Sequence, residues 1–470
     1  MALVFATTGF AQNTSLSDRE AKLVYSRAFE AILWASPAVA ILAQKEAGRR
    51  DLGAGNTDII YTGKSLDYRW GAITYNNQSP YWGADFSVKD GPVVVEIPPA
   101  IPEAKFFGSI HEVWYRPLED FGPAGADKGK GAKYLVLPPD YKGDIPDGYI
   151  VLQSTTFTHH VSGRTIPRDK GQKGWDAAVK YIKTVKIYPL SEANSPKPQK
   201  FIQGAQKEYR AHPMFDLNDF RLIDRLVQEE PMQEHDKVMF GMLAEIGIRK
   251  GKKFNPSPEV AKILEEAAKD AQAYAIEHIK TGKSFRPFWK EGVWGSFNIT
   301  PEVAATYLSY DFDDRLAYQD RMTNVFYFSG GMYKTFDATR PSSTAYLMTA
   351  QDSDGRGLDP SKTYKIHIPA NTPMKDFWSI IAYGTKSRTF INSPKITVSS
   401  NDEAVKVNDD GSIDLYLGPK PVKGYEANTV ITNPEEDTFL MFRLYGAKPE
   451  LWNRKWKLGD PELVNSKEKP

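Results

Sequence analysis

Seven histidines and no cysteine set the limits of the chemistry open to this 470-residue chain. Without Cys, thiolate zinc sites and cysteine nucleophiles are excluded, and any metal would rest on His and carboxylate ligands. There is no H-E-x-x-H pair, and no G-x-S-x-G at a strand-to-helix switch that would mark an α/β-hydrolase. What remains is His111-Glu112 followed by Trp114-Tyr115, and the doublet His159-His160 with Arg164 close behind. Read as one strand from Lys105 to Tyr115, Glu112 and Trp114 share a face. A carboxylate beside an indole in a pocket has its pKa raised and can serve as a general acid. The plainer reading is a Glu that faces solvent. Adjacent strand residues face opposite sides, so at most one of His159 and His160 faces a cleft. The candidate catalytic residues are therefore Glu112, His111 and His159, with no metal and no cofactor expected.

The second half supplies candidate binding residues. Trp378, Ser379 and Tyr383 lie in an apolar run, and Arg443 interrupts another, Phe439-Leu-Met-Phe-Arg-Leu-Tyr445. A charge there is costly unless paired, and Asp337 or Asp414 is the expected partner of a structural ion pair. The binding set is Trp114, Tyr115, Trp378, Tyr383, Arg340 and Arg443. Trp378 has two readings, core packing or the floor of a ligand groove. Two loops are weighed and set aside. Residues 120–133 are glycine-rich and basic but lead into a strand, without the ordered Walker spacing, so a solvent-facing loop is expected. Asp352-Ser-Asp354-Gly355 resembles the start of a calcium loop but lacks the Glu that completes one, and reads as a turn.

These side chains must be positioned by strands. Tyr364–Ile368 alternates apolar and polar residues, Pro369 and Pro373 mark a corner, and Phe377–Tyr383 is nearly all apolar. The pair reads as the core hairpin of an antiparallel sandwich, the second strand buried on both faces. In the first half, strands are expected at 58–61, 72–75, 92–97, 105–115, 134–137 and 149–159, separated by Gly, Pro and Asp. Helical periodicity marks 16–48, with Ser17 and Glu20 as a capping box and Ser36-Pro37 as a kink or break. It also marks 175–187, 217–229, 235–246 and 257–281.

Several motifs in fixed order resemble a bacterial two-domain family, the paired domains of unknown function numbered twelve-fifty-four and twelve-fourteen. In the first half these are Gly91-Pro-Val-Val-Val-Glu-Ile-Pro98, Gly129-Lys-Gly-Ala-Lys-Tyr-Leu-Val-Leu-Pro-Pro139 and Ile187-Tyr-Pro-Leu190. In the second they are Phe377-Trp378-Ser379, Asn408-Asp-Asp-Gly-Ser412, Leu415-Tyr-Leu-Gly-Pro419 and Phe442-Arg443-Leu-Tyr-Gly446 with Trp456 beyond. The resemblance implies an N-terminal and a C-terminal domain but no reaction. Glu112 stands where the family is usually acidic. His159-His160 stand where it has apolar or small residues, Gly384 where it often has Asp, and Thr429-Val430 where a Trp is expected.

The expected fold is mainly β with α: two antiparallel β-sandwich, jelly-roll-like domains joined by a helical segment, with an N-terminal helix. The divisions are 1–12 as a signal-peptide remnant, 16–55 as the helical segment, 56–169 as the first sandwich, 170–282 as the helical connector and 283–470 as the second sandwich. Net charge is +1 from 60 basic and 59 acidic residues, which gives no case for nucleic acid or an anionic membrane. Gly9-Phe-Ala11 carries small residues at signal-peptidase spacing, so an exported, periplasmic or secreted protein is expected, without membrane insertion. Aromatics are 12% of the chain, and their rings can stack on sugars or hold apolar ligands. The functional expectation is a hydrolase-like enzyme acting on a small organic or carbohydrate-like ligand in an inter-domain groove. The alternative is a non-catalytic binding or envelope-structural protein.

Overall fold

The computed structural model describes residues 15–280, 285–297, 326 and 344–464. Two β-sandwiches are built alike, each from a six-stranded and a four-stranded sheet. In the first, the six-stranded sheet runs Phe201–Gln203, Ile59–Tyr61, Tyr81–Ser87, Thr158–Pro167, Ala104–Glu112, Pro117–Phe121. Its partner sheet is Lys186–Pro189, Val93–Ile97, Ala132–Leu137, Ile150–Gln153. Trp82, Phe86, Ile110 and Val161 of one sheet share a core with Val95, Tyr134 and Val136 of the other. Gly108 and Gly163 are glycines because Phe121 and Trp82 fill the space a Cβ would need, at 2.4 Å in each case.

The second sandwich repeats the plan, with Thr438–Tyr445 between Thr344–Thr349 and Trp378–Gly384 at the centre of its larger sheet. Here the expected hairpin is corrected. Tyr364–Ile368 pairs with Ile413–Gly418 in the smaller sheet, while Trp378–Gly384 pairs with Thr438–Tyr445 in the larger. The two proline corners carry the chain across the core from one sheet to the other. The burial patterns carry the reason: the first strand has one exposed face, the second has none.

The N-terminal helix runs Asp18–Leu52 without interruption through Pro37, and its Ser17–Glu20 capping box is present. Ser36 Oγ donates to Ile32 O at 2.6 Å just where proline removes a backbone donor. Leu23, on the first turns of this helix, is exposed. This helix is long and apolar enough to cross a membrane, but most of that stretch is buried inside the protein. It packs on helix Pro258–Lys280 and, through Trp34 against Trp114, on the outer side of the first sandwich.

Three expectations fail locally. The strand expected to reach Tyr115 ends at Glu112, and Tyr115 sits at φ 64° in a turn, so Glu112 and Trp114 do not share a strand face. The helix expected over 175–187 is Gly171–Ile182, and Lys186–Pro189 is a strand of the first sandwich, which thus extends past residue 169. No strand spans 72–75; Tyr81–Ser87, unexpected from the sequence, takes the place beside Thr158–Pro167.

Candidate functional site

The outer face of the first six-stranded sheet carries the polar residues. Register pairs Asp85 with His160 and His160 with His111, so the three side chains share one face. Glu112 and His159 are partners on the opposite face. The expected catalytic trio is therefore split between the two sides of the sheet.

Glu112 is fully buried and takes a bidentate pair from Arg116, at 2.8 Å to each oxygen, with Thr155 Oγ1 donating at 2.9 Å. That is the geometry of a structural ion pair, not of a proton-holding acid. His159 is also fully buried, stacked on Phe86 at 5.2 Å and bonded through Nε2 to Ser154 Oγ at 2.8 Å. Burial pushes its pKa down to about 4, which keeps the ring neutral. Trp114 packs edge-on against Trp34, and Tyr115 OH accepts from Gln44 Nε2 at 3.3 Å. Trp378 is core: it is 1% exposed and stacks on Phe442 at 5.6 Å. Arg340 and Asp337 lie outside the described residues.

Tyr383 and Arg443 do come together, at the seam between the sandwiches. Arg443 Nη1 donates to Tyr383 OH at 2.6 Å and Nη2 to Thr74 O at 2.5 Å, while Tyr383 OH donates to Tyr75 O at 2.6 Å. Asp414, one expected partner of Arg443, instead holds Lys365 at 3.0 Å and His367 at 2.9 Å in the other sheet. Among the described residues no carboxylate pairs with Arg443. Arg164 meets the same seam from the first sandwich, donating to Tyr81 OH and to Tyr445 OH. Tyr383, Arg443 and Tyr445 are at most 1% exposed, so the seam is closed to solvent here.

The open site lies about 13 Å away, four residues back along the strand that carries both His160 and Arg164. There a cavity of about 80 Å³ is lined by Lys45 and Arg49 of the N-terminal helix, the loop 54–58, Ile60, Asp85, and Arg225 of helix Leu217–Glu229. Asp85 Oδ1 meets His160 Nδ1 at 2.8 Å. A carboxylate oxygen accepts, so Nδ1–H donates and holds the carboxylate in place. Lys45 Nζ donates to Thr158 Oγ1 at 3.3 Å, two residues before His160. Lys45 and Asp85 do not pair with each other. Burial pushes the Lys45 ammonium below its usual pKa, with Arg225 working in the same direction. Gly83 leaves room for this arrangement, since a Cβ there would come within 3.3 Å of the His160 ring. A cation and a carboxylate, each held by other groups across a small cavity, can polarise a ligand and exchange a proton with it.

Lys45, Asp85 and Arg225 escaped the sequence reading. The alternation of Trp82, Ala84 and Phe86 inward with Gly83 and Asp85 outward was a strand signal that could have located Asp85. Nothing local marks Lys45, which follows a buried helical stretch. A second, wider depression of about 440 Å³ beside the glycine-rich loop is lined by Lys130, Lys133, Glu96 and Asp147. The loop itself is tied by Asp127 to the backbone of Gly122 and Gly131 and runs into a strand, with no helix start to hold a phosphate. Asp352 Oδ1 is occupied by the amides of Asp354 and Arg356, a turn rather than a cation loop. Among the described residues no group of three or more His, Asp and Glu could hold a metal ion.

Fold and site together define a two-sandwich protein with a small cation–carboxylate cavity beneath its N-terminal helix. Residues 66–189 match the family described as a protein of unknown function, DUF1254, and residues 343–449 match DUF1214, likewise of unknown function. The chain carries this pair of domains, N-terminal and C-terminal in that order. No curated protein matches its sequence. Among solved structures, the VPA0106 protein from Vibrio parahaemolyticus aligns with a TM-score of 0.55 at 16% identity, covering 94% of this chain and 100% of its own. An uncharacterized protein from Burkholderia cenocepacia reaches 0.41 at 12%, covering 95% and 96%. The first likeness bears on the fold alone.

Proposed function

We propose that this chain is a hydrolase-like enzyme that cleaves a small ester or lactone in the cavity between Lys45 and Asp85. The observation that carries the reading is that these two opposite charges line one cavity without pairing. Oppositely charged neighbours normally collapse into an ion pair; here each is held by another group and leaves space between. Water fits that space, and about 80 Å³ admits a head group of a few heavy atoms. Asp85 takes a proton from water as the water oxygen bonds to the carbonyl carbon. The Lys45 ammonium stands against the oxyanion that forms. The intermediate collapses, the proton on Asp85 passes to the leaving oxygen, and a carboxylic acid and an alcohol depart. The small cavity favours a compact organic substrate over a polysaccharide. We place the activity outside the cytoplasm on the strength of Gly9-Phe-Ala11, which lies outside the described residues.

The test is turnover of p-nitrophenyl acetate and of short-chain esters and lactones by the full chain, beside Asp85→Asn and Lys45→Met. Saturable turnover lost in both variants supports the reading. Binding of short carboxylates in the cavity with no turnover of any ester would replace it with the non-catalytic binding protein.

A further inference from the structure

We infer that the seam between the two sandwiches is a binding site for a small carboxylate, held by Arg443 and Ser379, and distinct from the Lys45–Asp85 cavity. Arg443 is 1% exposed, and its Nε has no hydrogen-bond partner among the described residues. Its ladder partner on the neighbouring strand, Ser379, is 0% exposed, and its Oγ has none either. Cross-strand partners project to the same side of a sheet with Cβ atoms about 5 Å apart. Tyr383 shares that side by alternation, and its hydroxyl reaches Tyr75 O of the first sandwich, so both orphaned donors face the seam.

Charge points the same way. Among the described residues the titratable groups around the Arg443 guanidinium are tyrosines: the Tyr346 and Tyr383 rings lie 5.5 and 5.3 Å from it, with Tyr81 and Tyr445 beyond. Burial raises the Tyr383 hydroxyl far above its ordinary pKa, so it stays neutral. Arg164 adds a second guanidinium, 4.8 and 5.2 Å from the Tyr81 and Tyr445 rings. A buried guanidinium without a counter-charge is unfavourable, because burial removes the water that would solvate it. A carboxylate supplies that charge, and its two oxygens match two donors on adjacent strands, Nε–H and Oγ–H. A halide would satisfy the charge with a single acceptor and leave the pairing of donors unexplained. Because the ligand touches both sandwiches through their seam, its binding stabilises their docking.

The test is thermal unfolding of the full chain against acetate and formate at constant ionic strength, with chloride as the balancing salt. The midpoint should climb with the logarithm of acetate concentration above its dissociation constant. Ser379→Ala, a change small enough to leave the fold intact, should move the onset of that climb at least tenfold higher in acetate. Arg443→Met should abolish the climb. Lys45→Met should leave it unchanged, which separates this site from the cavity whether or not the cavity proves catalytic. Two results overturn the inference. One is a midpoint equally insensitive to acetate in wild type and Ser379→Ala. The other is acetate dependence that appears only in Asp337→Asn, which would show that the chain compensates Arg443 itself.

Discussion

Lys45 and Asp85 line one cavity with opposite charges, yet each is held by a different neighbour, Lys45 by Thr158 at 3.3 Å and Asp85 by His160 at 2.8 Å. The helix and the sheet that carry them meet only because the helix packs across the sheet's outer face. His160 is thus a positioning residue for Asp85. His160→Gln should lower turnover by about 10- to 100-fold, as losing the partner that orients a working carboxylate or ligand usually does. Its effect should fall on kcat more than on KM. Steady-state kinetics on the best ester found will show it, and His160→Asn, which keeps a donor near the position of Nδ1, should recover part of the loss.

Lys45 predicts a pH profile. Its ammonium sits below the usual lysine pKa, so it loses its proton earlier than a free lysine as pH rises. If the cation stabilises the oxyanion, kcat/KM falls on the alkaline side through that lowered pKa. Lys45→Met should have low activity and no such limb. An unchanged alkaline limb in Lys45→Met would assign it to another group.

His159 predicts a stability profile. Its pKa is about 4 when folded against 6.5 for an unperturbed histidine, so below pH 6.5 the unfolded chain binds a proton that the native state refuses. Stability from this group is intact above pH 6.5 and is lost as pH falls from 6.5 towards 4. The full loss is on the order of 3 kcal/mol. His212, also near 4, adds to the slope, while Asp219, raised to about 7, opposes it by holding its proton in the folded state. The variant isolates the His159 contribution: denaturant midpoints of His159→Gln should depend less steeply on pH between 4 and 6.5 than those of wild type.

Trp378 and Tyr383 lie on opposite faces of one strand and predict different losses. Trp378→Ala empties a place in the sandwich core against Phe442 and should cost about 3–5 kcal/mol by chemical denaturation. Tyr383→Phe keeps the ring but removes the hydroxyl shared by Arg443 and Tyr75 O, and should cost about 1–3 kcal/mol. Hydrogen exchange should localise the second loss to the seam rather than to the core.

Export predicts an N-terminus. In a host that secretes it, the protein should begin at Gln12, after Gly9-Phe-Ala11. N-terminal sequencing of the recovered protein decides it; an intact Met1 on cytoplasmic protein would remove the extracytoplasmic assignment.

What the sequence determined by itself were the features set by near neighbours. The capping box at Ser17, the helix Leu217–Glu229 and the burial of Phe377–Tyr383 on both faces follow from periodicity and end signals that act over a few residues. The ordered motifs of both halves were legible in the same way. Only the tertiary structure decided which strands pair, because register joins residues far apart. It moved Tyr364–Ile368 and Trp378–Gly384 into different sheets, placed His111 and Glu112 on opposite faces, and put His160 beside Asp85 across 75 positions. It also withdrew Asp414 from Arg443, since a buried cation is satisfied by whichever groups packing brings to it, here two tyrosine rings and a carbonyl of the other sandwich. The site escaped the sequence for the same reason: Lys45 has no partner within its own helix, and its chemistry exists only where that helix crosses the sheet.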